Sequence, residues 1–478
     1  MADRYWVGGS GTWNTSSTTN WSTTSGGSSG ASAPTSADNV FIDGNSNTGT
    51  SDFTINCANV VYCNNLTVSG LDGNLSMFSS NTIMFVYGNF SIPSSNISLW
   101  SAGVYFQSTG SVSINFGSSV TANIGFGPNS VGSGTYTLTN NVTTTAGVVY
   151  YDGTLNLNNY TITCRDLWAT FANTRTLAFG TSGSIVTTGI SNSGTLRSID
   201  IIGTNLTVTG TSLITSTYTG ADKIIRVVTN MTESNAINVS TTLTSSFATT
   251  IVSNSVFSNL TTTGTGTLTL SGGATIYKNL TLGSGATVSG SSTVSFSSTS
   301  GTRTITTNGV TLPFPMSFPV SGATYSLADN LTASSTLSIA GAAFSVNGKV
   351  LTVSSTLTLS SGSLSIGSGS ISGYTMAHSG GTVNLNTGTL TLTTSFSQTG
   401  GTLNFNSGSI TCGTWSSSGT RTIDWNTNGT VYVTGSSISH SATNLTTTNA
   451  PGAFSHSGSY LGTLNIGTFT ESTAPNLT

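Results

Sequence analysis

From Ser361 to His440 the chain can be written as four lines of twenty residues whose apolar positions fall into columns: SGSLSIGSGSISGYTMAHSG, GTVNLNTGTLTLTTSFSQTG, GTLNFNSGSITCGTWSSSGT and RTIDWNTNGTVYVTGSSISH. The columns reach back to Tyr325. Tyr325, Phe344, Leu364, Val383, Leu403 and Ile423 form the first, at steps of 19, 20, 19, 20 and 20. Leu327, Val346, Ile366, Leu385, Phe405 and Trp425 form the second, and Leu331, Leu351, Ile371, Leu390, Ile410 and Val431 the third. Leu337, Leu357, Met376, Phe396, Trp415 and Ile438 make a looser fourth. Within a line the apolar residues sit two apart, as in Val383 and Leu385, which is the alternation of a strand with one buried face. Each line therefore reads as about three short strands.

So short a unit cannot bury its apolar face alone, and neighbouring units must stack on a shared core. The expected fold is all-β: a parallel β-solenoid, or β-helix, with rungs of about 20 residues, capped by a distinct N-terminal segment. Its corners are Ser379-Gly380-Gly381, Thr399-Gly400-Gly401 and Ser418-Gly419-Thr420, residue types that tolerate positive φ. Proline, which would interrupt ladder hydrogen bonds, is scarce: there are 8 in 478 residues, three of them in LPFPMSFP (312–319), expected to interrupt a rung or form a corner. Roughly 20 to 22 rungs at about 4.8 Å each would extend on the order of 100 Å.

Charged residues make up only 5% of the chain, 10 Lys and Arg against 13 Asp and Glu for a net charge of −3, so the surface must be largely hydroxyl and amide. Nucleic acid is not an expected partner, because neutralising phosphates requires clustered cations, and Lys223 with Arg226 is the densest kind of pair found. Low charge with abundant Ser, Thr and Gly also suits disorder, but 35% hydrophobic content in regular columns supplies a core. No apolar run is long enough for a transmembrane helix, so no membrane insertion is expected, and MADRYWVGGSGTW does not read as a secretion signal. The four cysteines, Cys57, Cys63, Cys164 and Cys412, are too scattered for a disulfide framework and are expected to be reduced. Cys412 stands in a core column as a small buried hydrophobe.

Four regions are expected. Residues 1–55, with Trp6, Trp13 and Trp21, read as an N-terminal cap or virion-attachment segment whose aromatics cover the first rung. Residues 56–309 read as an irregular solenoid, 310–440 as the regular one, and 441–478 as a C-terminal cap or tail. The phrase around Arg175 (NTRTL) returns at Arg303 (GTRTI) and Arg421 (GTRTI), at separations of 128 and 118 residues. These arginines are expected to hydrogen-bond turn carbonyls of an adjacent rung or to pair with a neighbouring chain.

The phrases YWVGGSGTWN, NWS, APTSADNVFID and NNLTVSG, followed by the TRTL and TRTI units, resemble a group of Gly/Ser/Thr-rich repeat proteins of tailed bacteriophages and related marine viruses. The resemblance covers most of the chain and implies a virion structural protein of the fibre, tail or decoration type. It carries over no functional residues.

Candidate sites are few. A glycan hydrolase or lyase needs converging carboxylates. Asp200 and Asp222, 22 residues apart, could stack on neighbouring rungs beside Arg197 and Arg226, and Asp152 and Asp166 lie near Arg165. Solvated loop charges explain them as well. Asp38, Asp43 and Asn45 offer oxygens near a glycine, but the spacing is not that of a Ca²⁺ loop and suits Asx capping better. Sequons at Asn65, Asn279 and Asn330 read as strand starts. Tyr150, Tyr151 and Trp168 are the aromatics most suggestive of a sugar platform. No catalytic residue, cofactor or metal is expected. The leading expectation is a non-enzymatic virion protein, made in the host cytoplasm, that joins other virion proteins through a terminus, forms a homo-oligomer (a trimer if a fibre) and meets host glycans. A glycan-degrading tailspike and a bacterial surface adhesin are the alternatives.

Overall fold

The computed structural model describes residues 1–78, 83–128, 134–191, 194–203, 205–229, 231–252, 254–426, 429–440, 445–448, 453–456 and 476–477. The chain divides into two compact units, Met1–Thr242 and Leu243–Thr478. Each is built from short strands stacked in parallel, with no α-helix among the described residues. The fold is a parallel β-solenoid with rungs of about 21 residues and about 18 turns counted over both units. That is fewer than the 20 to 22 expected.

In the first unit one turn is made by three consecutive strands, Phe53–Cys57, Val61–Cys63 and Leu66–Val68. Alternation sets their faces: Phe53, Ile55 and Cys57 are buried while Thr54 and Asn56 face out. Asn59 turns the first corner at φ 62°, a left-handed conformation that Asn tolerates better than most residues. Along one face the steps between partners are uneven. Tyr5 faces Phe41, 36 residues on; Leu66 faces Phe90, 24 on; Tyr136 faces Leu155, 19 on; and Leu177 faces Val208, 31 on. Insertions at corners lengthen a rung without disturbing the ladder, since each strand needs only its own few residues in register.

Residues 1–55 hold the first strands of two of these faces. Asp3–Trp6 pairs in parallel with Asn39–Ile42, and Trp21–Ser22 lies antiparallel on the other side of Asp3–Trp6, where that sheet ends. Of the expected tail 441–478, most lies outside the described residues.

In the second unit the sequence columns are register columns. Tyr325, Phe344, Leu364, Val383, Leu403 and Ile423 are successive partners, as are Leu331, Leu351, Ile371, Leu390, Ile410 and Val431. All are buried. The looser fourth column has a physical cause: the ladder bulges between Gly373 and Thr375, between Leu392 and Ser395 and between Cys412 and Thr414. One extra residue in such a bend leaves both flanking strands in register. LPFPMSFP forms a corner and does not interrupt a rung, because Thr311–Leu312 pairs with Leu331–Ala333 and Met316–Phe318 pairs with Val294–Phe296, with Pro313 and Pro315 between them.

A second device is not evident from the apolar columns. Asn347, Asn386, Asn406 and Asn426 all sit at φ between 48° and 57°, with Gly367 (φ 71°) in the same place on the intervening rung. Asn426 donates from Nδ2 to Asn406 Oδ1 (2.8 Å), and Asn406 to Asn386 Oδ1 (3.2 Å). One corner is thus an amide ladder that supplies the left-handed turn and ties consecutive rungs together.

Candidate functional site

The side chains able to do chemistry are largely committed to the scaffold. Arg175 is fully buried on the strand Arg175–Ala178. Its Nη1 donates to Ala169 O (2.7 Å), Nη2 to Ile202 O (2.9 Å) and Nε to Asn173 O (3.3 Å), and the guanidinium lies 5.9 Å from the centre of the Tyr150 ring. Burial lowers its pKa. Arg421, also buried, donates from Nη1 to Gly419 O (2.8 Å) and from Nε to the Ser417 hydroxyl. Arg303 is half-buried and donates from Nε to Ser298 Oγ (2.8 Å). Arg175 thus reaches the following rung.

The shared phrase does not mean a shared frame. Arg303 faces Tyr325, the head of the first column, whereas Arg421 faces Gly401, two residues before that column. What the three have in common is a rung that runs over: 25 residues from Leu280 to Ile305, 31 from Leu177 to Val208 and 24 from Ile423 to Thr447. A longer corner takes carbonyls out of the ladder, and a guanidinium with five donors can satisfy several of them.

Trp6, Trp13 and Trp21 are fully buried. Trp21 meets both others edge to face, at 5.1 and 5.2 Å between ring centres. Trp6 Nε1 donates to Gly9 O (2.7 Å).

The carboxylates do not assemble as a glycosidase pair. Ile199 faces Ile225, so this rung is 26 residues and Asp200 faces Arg226; Asp222 does not stack on Asp200. Asp222 lies four residues earlier, about 13 Å along the strand, and is exposed. Arg226 clamps Asp200 with Nε on Oδ1 (2.7 Å) and Nη2 on Oδ2 (2.9 Å), and Arg197 Nη1 pairs with the same Oδ2. Asp166 pairs with Arg165 Nε (2.7 Å), burial raising its pKa despite that pair. Asp152 Oδ1 accepts the Gly153 amide (2.7 Å).

At the corner after Asn39–Ile42, Asp43 Oδ1 accepts the Asn45 amide (3.0 Å), an Asx turn. Asp38 accepts from the Thr35 amide and hydroxyl and from the Ala2 amide. Burial works to raise its pKa, but these hydrogen bonds and Arg4 outweigh it and hold the carboxyl below its usual range. Among the described residues no three His, Cys, Asp or Glu side chains converge as a metal site. Asn65, Asn279 and Asn330 stand immediately before strands, and their Oδ1 atoms accept amides of the next rung: Asn89, Thr304 and Val350 at 2.7, 2.7 and 2.9 Å. All four cysteines are buried thiols, which burial pushes upward, Cys57 and Cys412 to about 12.

The suggested aromatic group separates. Tyr150 is buried, its hydroxyl between Gly153 O (2.6 Å) and Thr176 O (2.7 Å). Tyr151 packs on Phe171 at 4.3 Å. Trp168 remains 37% exposed.

One surface feature escaped the sequence reading. In the first unit the central outward residues of the third face stand in a single register file. Tyr62, Phe85 and Tyr105 lead it, their rings 5.8 and 6.1 Å apart, and Tyr105 leans over Gly125, where a Cβ would collide with its ring. After Val149 the file ends in Trp168, Asp200 and Arg226. The in-out-in triplets Val61-Tyr62-Cys63, Met84-Phe85-Val86 and Val104-Tyr105-Phe106 were its signal, masked by steps that are not constant. No family model, no curated protein and no solved structure matches the chain.

Proposed function

We propose that the protein is a non-enzymatic structural component of a bacteriophage virion, a tail fibre, spike or capsid-decorating appendage that joins other virion proteins through a terminus. The observation that supports this reading best is the commitment of reactive groups to architecture. Asp200 has both oxygens taken by arginines, while Arg175 and Arg421 are buried on turn oxygens. A glycan-cleaving site needs a carboxyl group that can exchange a proton with substrate, and a carboxylate clamped on both oxygens suits that role badly. A neutral hydroxyl surface over a continuously stacked core suits a mechanical and adhesive role. The resemblance of the N-terminal phrases to phage repeat proteins supports the location.

The test is to purify particles of the virus whose genome encodes the chain and to probe them by mass spectrometry and by immunogold against residues 1–55. The expected result is stoichiometric presence and a label at a fixed position on the particle. Particles that lack the chain overturn the proposal, and detection on a bacterial envelope would favour the adhesin.

A further inference from the structure

At the end of the outward file in the first unit, Trp168, Asp200 and Arg226 occupy successive strands, about 4.8 Å apart. Arg197 joins from the strand of Asp200. The two guanidinium groups and one carboxylate leave this patch one positive charge on a chain whose net charge is −3. Donors remain for a ligand. Arg226 uses Nε and Nη2 on Asp200 and keeps Nη1; Arg197 uses Nη1 and keeps Nη2, while its Nε is buried away from solvent. The side chains of Arg197 and Arg226 are 28% and 17% exposed.

Beside them stands an indole that the fold does not need outside. The aromatics earlier in the file cover one another, but Trp168 has no aromatic neighbour among the described residues and is tethered only by Nε1 to Thr170 Oγ1 (2.6 Å). The other six tryptophans are buried. An exposed indole one strand from Asp200 and two from Arg226, with guanidinium donors held rigid by the shared carboxylate, offers a flat apolar platform and a fork for an anion.

We propose that Trp168, Arg226 and Arg197 form a binding site for an acidic glycan, the indole taking the apolar face of a pyranose ring and the guanidinium groups its carboxylate. Asp200 is a positioning residue that fixes both forks. The proposal rests on the appendage reading only for where such a glycan is met; the binding itself rests on the geometry.

The experiment titrates the full-length protein with oligogalacturonate, its neutral methyl ester, a heparin-derived sulfated oligosaccharide and polyglutamate, read by tryptophan fluorescence and calorimetry. The acidic glycan should give a saturable fluorescence change, because Trp168 is the exposed indole, with affinity at least tenfold above that of the ester. Trp168→Ala should abolish calorimetric binding while leaving circular dichroism unchanged. Arg226→Lys, which keeps the charge and loses the fork, should weaken it at least tenfold. Tighter binding of the sulfated sugar supports the site and identifies the anion as a sulfate ester. Equal affinity for acid and ester, equal affinity for polyglutamate, no binding of any acidic sugar by the folded protein, or unchanged binding in Trp168→Ala overturns it. None of these outcomes bears on whether the chain is found in particles, so the two proposals fail separately.

Discussion

The two units share a fold and hold their rungs together by different means. In the second, from Tyr325 to Ile423, steps of 19 or 20 residues let one corner repeat, and asparagines there at φ 48° to 57° bond one rung to the next. In the first, steps range from 19 to 36 residues, corners do not repeat, and more charged groups are buried: Arg175, Asp166, Asp200 and Lys223, against Arg421 in the second. Lys223 Nζ donates to Tyr218 O (2.8 Å) and Thr242 O (2.7 Å). Regular spacing allows the backbone and short amides to satisfy the corners. Irregular spacing strands carbonyls that side chains of several kinds must reach, Tyr150 and Asn205 as well as Arg175 and Lys223.

The largest expected effect tests that contrast directly. Arg175→Met should strip donors from Ala169 O and Ile202 O and destabilise the first unit by about 3–5 kcal/mol, and Arg421→Met the second by about 2 kcal/mol. Urea denaturation followed by proteolysis of each unit measures both; equal losses would break the comparison. Leu390→Ala removes a fully buried side chain from a closely repeating column and should cost about 3 kcal/mol in the second unit.

A smaller effect isolates the amide ladder. At Asn406 (φ 54°), alanine should be strained by about 1–2 kcal/mol beyond the lost hydrogen bond, whereas glycine should lose only the bond. The same loss for Asn406→Ala and Asn406→Gly would show that the left-handed turn is not what the asparagine is for.

The smallest effect is one of pH. Burial lowers Lys223 to about 8, so between pH 8 and 10 the unfolded chain binds the proton that the folded protein has released, and stability rises with pH. The buried thiols act oppositely above about pH 9, where the unfolded thiol ionises and the folded one keeps its proton. Subtracting Lys223→Met from wild type cancels the thiols. The difference should grow by about 1 kcal/mol from pH 8 to pH 9, measured by chemical denaturation at each pH; a flat difference would mean that Lys223 is not desolvated.

Much of the second unit was legible in the sequence because its information is local. Val383 and Leu385 announce a strand face, and a constant step carries Val383 onto Leu403. The same reasoning misplaced Asp222 against Asp200: a step of 22 was taken where the chain uses 26, and four residues are enough to exchange a carboxylate for Arg226. The recurring TRT phrase likewise does not reveal that Arg303 and Arg421 stand two residues apart in the frame.

The sequence by itself determined the strands, their inward faces and the parallel stacking, because alternation and a shared apolar period are properties of neighbouring residues. Only the tertiary structure decided which polar side chains meet: the lock on Asp200, the carbonyls held by Arg175, and Trp168 left open beside two arginines. The Asp200–Arg226 and Arg175–Ile202 pairings join residues one rung apart, and the length of a rung is set at its corners, where insertions cost little and leave no periodic trace.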